Sequence, residues 1–121
     1  MSNTKKGKQG EEIAVKYLKE NGYKILETNY HYSKFGEIDI IAIKHFKLCA
    51  IEVKSRTNLI FGEPFEAITK AKLDKIFMTF KYYLQNTKIA YFSHQIDAIS
   101  VIFDAKNPSL YEIKHIKNIE L

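Results

Sequence analysis

The chain has 121 residues, 45% of them hydrophobic and 27% charged, a globular balance for one domain over residues 1–121 that excludes low-complexity and disordered classes. No apolar stretch approaches the roughly 20 residues that span a bilayer, and Met1-Ser2-Asn3-Thr4-Lys5-Lys6 lacks an apolar signal core, so a cytoplasmic protein is expected. The net charge of +5 favours polyanionic partners, and a lone cysteine, Cys49, excludes an intrachain disulfide.

In chain order, Thr4 caps a first helix that runs to about residue 20 and stops at Asn21-Gly22. Glu11, Ala14 and Leu18 share its inward stripe, whereas Glu12, Lys16 and Glu20 form a polar one, so Glu11 is the acid that points toward the core. A first strand spans residues 23–29, and a polar loop follows at residues 30–35. Two apolar runs, residues 37–43 and 47–55, then form a hairpin. Residues 57–62 read as loop, and Pro64 suits the first turn of a second helix carrying Ile68, Ile76, Phe77, Phe80 and Leu84 toward the sheet. Strands are expected at residues 88–92 and 96–103. After an Asn107-Pro108-Ser109 turn, an edge strand is expected at residues 110–116.

The hairpin carries the chemistry. A tight turn centred on His45-Phe46 pairs Lys44 with Lys47, and the same register sets Asp39 opposite Glu52, with Lys54 on the face of Glu52. Directly opposed positions have Cβ atoms about 4.5 to 5.5 Å apart, close enough for one cation to bridge both carboxylates. Without a cation, one of two such acids tends to keep a proton. Mg²⁺ suits an oxygen donor set of Asp39, Glu52 and the Val53 carbonyl, and Lys54 can polarise an attacking water and offset phosphoryl charge. The alternative is a cross-strand salt bridge of Glu37 with Lys54, with Asp39 solvated.

Other residues have paired readings too. Glu11 is either a further acid at the site or a helix N-terminal acid favoured by the helix dipole. Asp97 either supports the site from behind or hydrogen-bonds a turn. Lys70 either contacts phosphate or lays its stem along the core edge. The segment Tyr30-His31-Tyr32-Ser33-Lys34 either stacks on unpaired bases or packs. Cys49, in an apolar strand, reads as a buried inert thiol. None of the four histidines has a spaced Cys or His partner, so no structural zinc is expected. Arg56 is the sole arginine, so a nucleic-acid ligand would be recognised through backbone or shape, by lysine point charges, rather than through base sequence.

Together, Gly10-Glu11-Glu12-Ile13-Ala14, Tyr17-Leu18, Gly22-Tyr23-Lys24-Ile25-Leu26, Asn29-Tyr30, Gly36-Glu37-Ile38-Asp39, Glu52-Val53-Lys54 and Ile96-Asp97 resemble the YraN-like family of small bacterial proteins. That resemblance implies a three-layer, restriction-endonuclease-like PD-(D/E)XK fold, an α/β architecture whose mixed central sheet is flanked by helices in the order αβββαββ with a final β. More distantly, the chain is similar to archaeal Holliday junction resolvases, whose catalytic set maps onto Glu11, Asp39, Glu52 and Lys54. Their Glu-any-Lys-Ser-Arg run extends the match to Ser55 and Arg56, and Ser33 is a weaker match. The implied activity is Mg²⁺- or Mn²⁺-dependent cleavage of DNA, with Ser33, Lys34, Ser55, Arg56 and Lys70 as candidate nucleic-acid contacts. The alternatives are a DNA-binding module without turnover, working with a repair or uptake partner, and an interaction domain whose acids are structural. A homodimer is expected if the substrate is a four-way junction, because symmetric cleavage needs two paired sites. Gln95 and His31 depart from the family pattern, where arginine is usual, so an ion pair at position 95 is expected to be lost.

Overall fold

A computed structural model describes residues 3–34, 36–58 and 68–119. Its elements run α1 (Asn3–Glu20), β1 (Lys24–Tyr32), β2 (Gly36–Lys44), β3 (Lys47–Asn58), α2 (Lys70–Asn86), β4 (Ser93–Asp104) and β5 (Tyr111–Ile116). The strands form one mixed sheet in the order β1-β2-β3-β4-β5, in which only β3 and β4 run parallel. This parallel pair is why α2 crosses between them, since parallel neighbours cannot be joined by a tight turn.

Local chemistry sets the ends of these elements. α1 stops where Gly22 takes φ 87°, and the Gly22 and Tyr23 N–H groups return to the Lys19 and Leu18 carbonyls, satisfying the last turn. The β2–β3 turn is closed by His45 and Phe46 at φ 50° and 62°, and Lys44 pairs with Lys47 as the hairpin register requires. Thr69 caps α2, its hydroxyl accepting from the Lys72 N–H at 3.2 Å.

One apolar core lies on each face of the sheet. Ala14 and Leu18 of α1 pack with Ile40, Ala42, Cys49, Ile51, Ile99, Val101 and Phe103. On the other face Leu73, Ile76, Phe80 and Tyr83 of α2 pack with Ile38, Ile41, Leu48, Ala50 and Ile96. Among the described residues, no helix is long and apolar enough to cross a membrane.

Several boundaries differ from expectation. α1 begins at Asn3, so Thr4 stands within the helix and not at the position before it. Tyr30, His31 and Tyr32 continue β1 and pair with Ile38, Glu37 and Gly36, because α2 holds the extended hairpin through rings: Tyr30 meets Tyr83 edge-on and Tyr32 stacks on Tyr82 at 3.8 Å. β3 likewise extends through Thr57 and Asn58, and the rest of the expected loop, with Pro64, lies outside the described residues. α2 begins at Lys70, later than the expected start near Pro64, so Ile68, expected on the helix, lies before its Thr69 cap.

Phe77 is 46% exposed, because the buried stripe of α2 runs through Leu73, Ile76, Phe80 and Tyr83. Residues 88–92 form no strand. Beside Lys47 the open edge of β3 is already taken by Ser93 of β4, so the Phe92 N–H turns instead to the Phe46 carbonyl at 2.8 Å.

Candidate functional site

The β2–β3 ladder runs from Lys44↔Lys47 to Ile40↔Ile51 and stops one pair short of Asp39 and Glu52. A local kink accounts for this. Residues 38 and 40 of a regular strand share a face, yet Ile38 packs in the α2 core and Ile40 in the α1 core, so the alternation breaks at Asp39. Across the β1–β2 ladder, Asn29 takes φ 52° between the Thr28↔Ile40 and Tyr30↔Ile38 pairs. Both strands bend at this level, and β2 parts from β3.

Asp39 fills the gap. Its Oδ2 accepts the Val53 N–H at 2.7 Å, standing in for the missing ladder partner. In a strand, a residue's N–H and C=O point to the same neighbour, so the Val53 carbonyl also faces the Asp39 side of the cleft. Gly7, Glu11, Asp39, Glu52, Val53, Ser55 and Lys72 line this open cleft, of about 510 Å³.

Glu52 is 5% exposed, and its Oε1 lies 2.7 Å from the Lys72 ammonium. Strand alternation puts it on the α2 face, while Val53 and Ser55 face α1. Glu11 approaches from α1 and accepts from Asn29 Nδ2 at 3.1 Å, and the same amide donates to Glu37 at 3.1 Å. Glu12 is exposed, as the helical phase requires. Gly10 brings α1 close to β3, since a Cβ there would collide with the Ser55 hydroxyl. That hydroxyl is buried and finds no hydrogen-bond partner among the described residues.

The electrostatics are those of an acid cluster. Burial, and next to it the charge of Glu52, push the Asp39 carboxyl up to about 7; Glu11 and Glu37 add to this and the Val53 N–H opposes it. Among the described residues no three His, Cys, Asp or Glu side chains converge as a ready-made metal cluster. What the cleft offers is three carboxylates, those of Glu11, Asp39 and Glu52, and a backbone carbonyl. That all-oxygen set suits a hard divalent ion, which commonly takes one or two protein carboxylates and completes its shell with water.

The other sequence candidates are dispersed. Lys54 is half-buried two residues beyond Glu52, is absent from the cleft lining, and makes no ion pair with another described residue. Ser33, at φ 58°, and Lys34 are exposed in the β1–β2 turn. Arg56 is half-buried on β3, and Lys70 is exposed with Asp74 4.0 Å away. The alternative, a Glu37–Lys54 salt bridge, is not formed; Glu37 lies 3.7 Å from His31 Nε2 and takes the Asn29 amide.

Asp97 is fully buried on the α1 side, away from the cleft, and ties β4 to β5 and the segment after it. It accepts from Gln95 Nε2 at 2.8 Å and the Asn118 N–H at 2.9 Å, and His115 Nε2 lies 2.9 Å away, with Tyr17 Oη 2.9 Å from the other ring nitrogen. Burial pushes this carboxyl up, but the His115 bond, the Asn118 and Gln95 bonds and the His115 charge outweigh it, and the net shift is downward. Gln95 thus keeps a hydrogen bond where an ion pair was expected to be lost, and His115 supplies the basic group. Burial, with Asp97 behind it, raises the Cys49 thiol to about 12, in keeping with an inert thiol.

Sequence reasoning missed Lys72 and Asn29. Lys72 stands 20 positions from Glu52 with no periodic link to it, although an Asn opposite the strand acid was a legible turn-former.

The sequence profile of "Uncharacterised protein family UPF0102" matches residues 10–101, which include α1 from Gly10 and all the cleft residues but Gly7. The chain belongs to this family. UPF0102 relatives match along almost their whole length. One from Acetivibrio thermocellus is 39% identical over 94% of this chain and 87% of its own. Relatives from Clostridium perfringens and Clostridium botulinum are 43% and 45% identical, each over 93% of this chain and 90% of theirs. All three are named "UPF0102 protein", and that name carries no reaction with it.

Proposed function

We propose that this UPF0102 chain is a divalent-metal-dependent nuclease of the restriction-endonuclease-like PD-(D/E)XK fold, hydrolysing phosphodiester bonds in DNA. The αβββαββ order and a mixed sheet with a helix on each face are compatible with that fold. The observation that carries the reading is the cleft where the hairpin strands part, which gathers Asp39, Glu52, the Val53 backbone and Glu11. Asp39 and Glu52, with the Val53 carbonyl, would hold Mg²⁺ or Mn²⁺. When bound, such an ion supplies Lewis acidity toward a phosphoryl oxygen and eases deprotonation of water.

The chain's own residues do the rest. The Val53 N–H aims the Asp39 carboxylate, and Asn29 holds Glu11 at the cleft wall. Lys54, reached by movement of its long side chain, would orient the attacking water and offset charge growing on the phosphoryl group. Lys34 and Lys70, exposed in the β1–β2 turn and at the start of α2, together with Ser33 and Arg56, would contact the DNA backbone, whose shape rather than sequence is read, whereas the buried Ser55 hydroxyl would not. Branched DNA, met by a homodimer in the cytoplasm, is the substrate that suits a junction-type cut.

The position of Lys54 outside the cleft favours a second reading, a DNA-binding module of the same fold without turnover. One experiment separates the two: incubation of duplex, single-stranded, flapped and four-way DNA with Mn²⁺, with Asp39→Ala and Lys54→Ala as controls. Cleavage that both substitutions abolish supports the nuclease. Binding without cleavage supports the module, and neither binding nor cleavage defeats both.

A further inference from the structure

We propose that Lys72 is a tethered cation that occupies the Glu52 carboxylate while no divalent ion is bound and turns to a substrate phosphate once Glu52 is ligated. This rests on the reading of Asp39 and Glu52 as ion ligands.

Glu52 is 5% exposed and shares its cleft with Asp39 and Glu11. A buried carboxylate next to a second acid is costly unless a positive charge stands against it. Lys72 provides that charge at 2.7 Å, and among the described residues no other cation pairs with Glu52. Burial pulls the Lys72 ammonium down, but its bond to Glu52 and the charges of Glu52, Asp39 and Glu37 more than offset this.

Its mounting suits exchange. The backbone of Lys72 is fixed in the first turn of α2, where its N–H is held by Thr69, while its side chain is 46% exposed on a flexible four-carbon stem. Lys72 lines the cleft with Glu11, Asp39, Val53 and Ser55, and also the adjoining one with Gly36, Glu37, Lys75 and Ile76. Leaving Glu52 therefore keeps the ammonium along the acid-lined opening through which a phosphodiester would enter. An ammonium is a point charge that can change partners, whereas a guanidinium would grip the carboxylate bidentately. A static salt bridge that merely staples α2 to β3 would predict no phosphate contact that appears only with the ion bound.

The test is calorimetric titration of Mn²⁺ into the full chain, as parent, Lys72→Met and Lys72→Arg, at pH 8. A competing tethered cation predicts affinity about fivefold tighter in Lys72→Met and weaker by a similar factor in Lys72→Arg. Equal affinities, or a Met variant that binds more weakly, overturn the role of Lys72 alone. No binding by the parent overturns the ion site itself, and this inference with it. If Lys72→Met fails to fold, the weakening in Lys72→Arg decides. For the second half, salt dependence of duplex binding is measured in Ca²⁺ and in EDTA. Lys72→Met should lower the log–log slope by about 0.9 in Ca²⁺, one phosphate contact, and leave it unchanged in EDTA. An equal change in both media, or none in either, overturns the transfer to phosphate.

Discussion

The Asp39 carboxylate accepts the Val53 N–H at 2.7 Å at the point where the β2–β3 ladder has ended. One bond thereby does two things. It satisfies a backbone donor that lost its partner, and it fixes an acid of the hairpin beside the backbone of the residue that follows Glu52. Asp39→Ala frees that donor in a partly buried setting, so at pH 5, below the folded Asp39 value of about 7, it should cost about 1 to 2 kcal/mol in urea unfolding, whereas Asp39→Asn keeps an acceptor through its retained oxygen and should not. Equal stability of Asp39→Ala and parent would show that water replaces the carboxylate without loss.

Mn²⁺ binding, followed by calorimetry, should weaken at least about tenfold in either Asp39→Ala or Glu52→Ala, with both variants still folded by circular dichroism. Removal of the ion with EDTA should leave the spectrum unchanged, because both apolar cores are complete without it. Parent-like affinity in both variants would place the ion elsewhere.

The raised Asp39 carboxyl gives a signed pH dependence. Its folded value of about 7 lies above the unfolded 3.8, so between these the folded state holds more protons, and stability of the ion-free protein falls as pH rises through that window. Asp39→Asn removes this component and should be the more stable protein at pH 8, by about 1 kcal/mol after allowance for solvent screening. Mn²⁺ affinity of the parent should fall about tenfold per unit below pH 7, since the ion must displace a proton. A flat profile for both quantities between pH 5 and 8 would mean that Asp39 titrates in the ordinary carboxylate range.

Asp97 behaves oppositely to Asp39. The folded Asp97 carboxyl lies below its unfolded value, so its contribution is present above that value and is lost as pH falls through the folded one. His115→Ala leaves a fully buried carboxylate short of its basic partner and should cost about 3 kcal/mol near neutrality. It should leave Mn²⁺ binding intact, because this network lies away from the cleft. Loss of ion binding in a folded His115→Ala protein would contradict that separation.

Close packing of α1 on β3 is tested at Gly10. A Cβ there collides with Ser55 Oγ and comes within 3.1 Å of Ser55 Cβ, so Gly10→Ala should destabilise by about 1 to 3 kcal/mol. Ser55→Ala in the same protein should recover part of this by removing the clashing hydroxyl. A stabilised Gly10→Ala protein would show that helix propensity outweighs the contact.

Local patterns in the chain were enough for the helix phase that puts Glu11 inward, the His45-Phe46 turn with Lys44 against Lys47, and the order of the main elements. Each follows from periodicity or turn closure within a few residues, and Glu52 and Lys54 share a face by simple alternation. The tertiary structure alone decided the rest, because it depends on which partner a segment finds. Tyr30 and Tyr32 belong to a strand because α2 offers them tyrosines, while residues 88–92 do not because β4 already holds the edge of β3. Asp39 and Glu52 share a cleft not as a regular ladder pair but through a kink opposite Asn29, and the cation against Glu52 comes from α2 rather than from Lys54 on its own strand. Backbone register can be read along a chain. The gap where a register fails, and the side chain that crosses from another layer to fill it, exist only once the layers have packed.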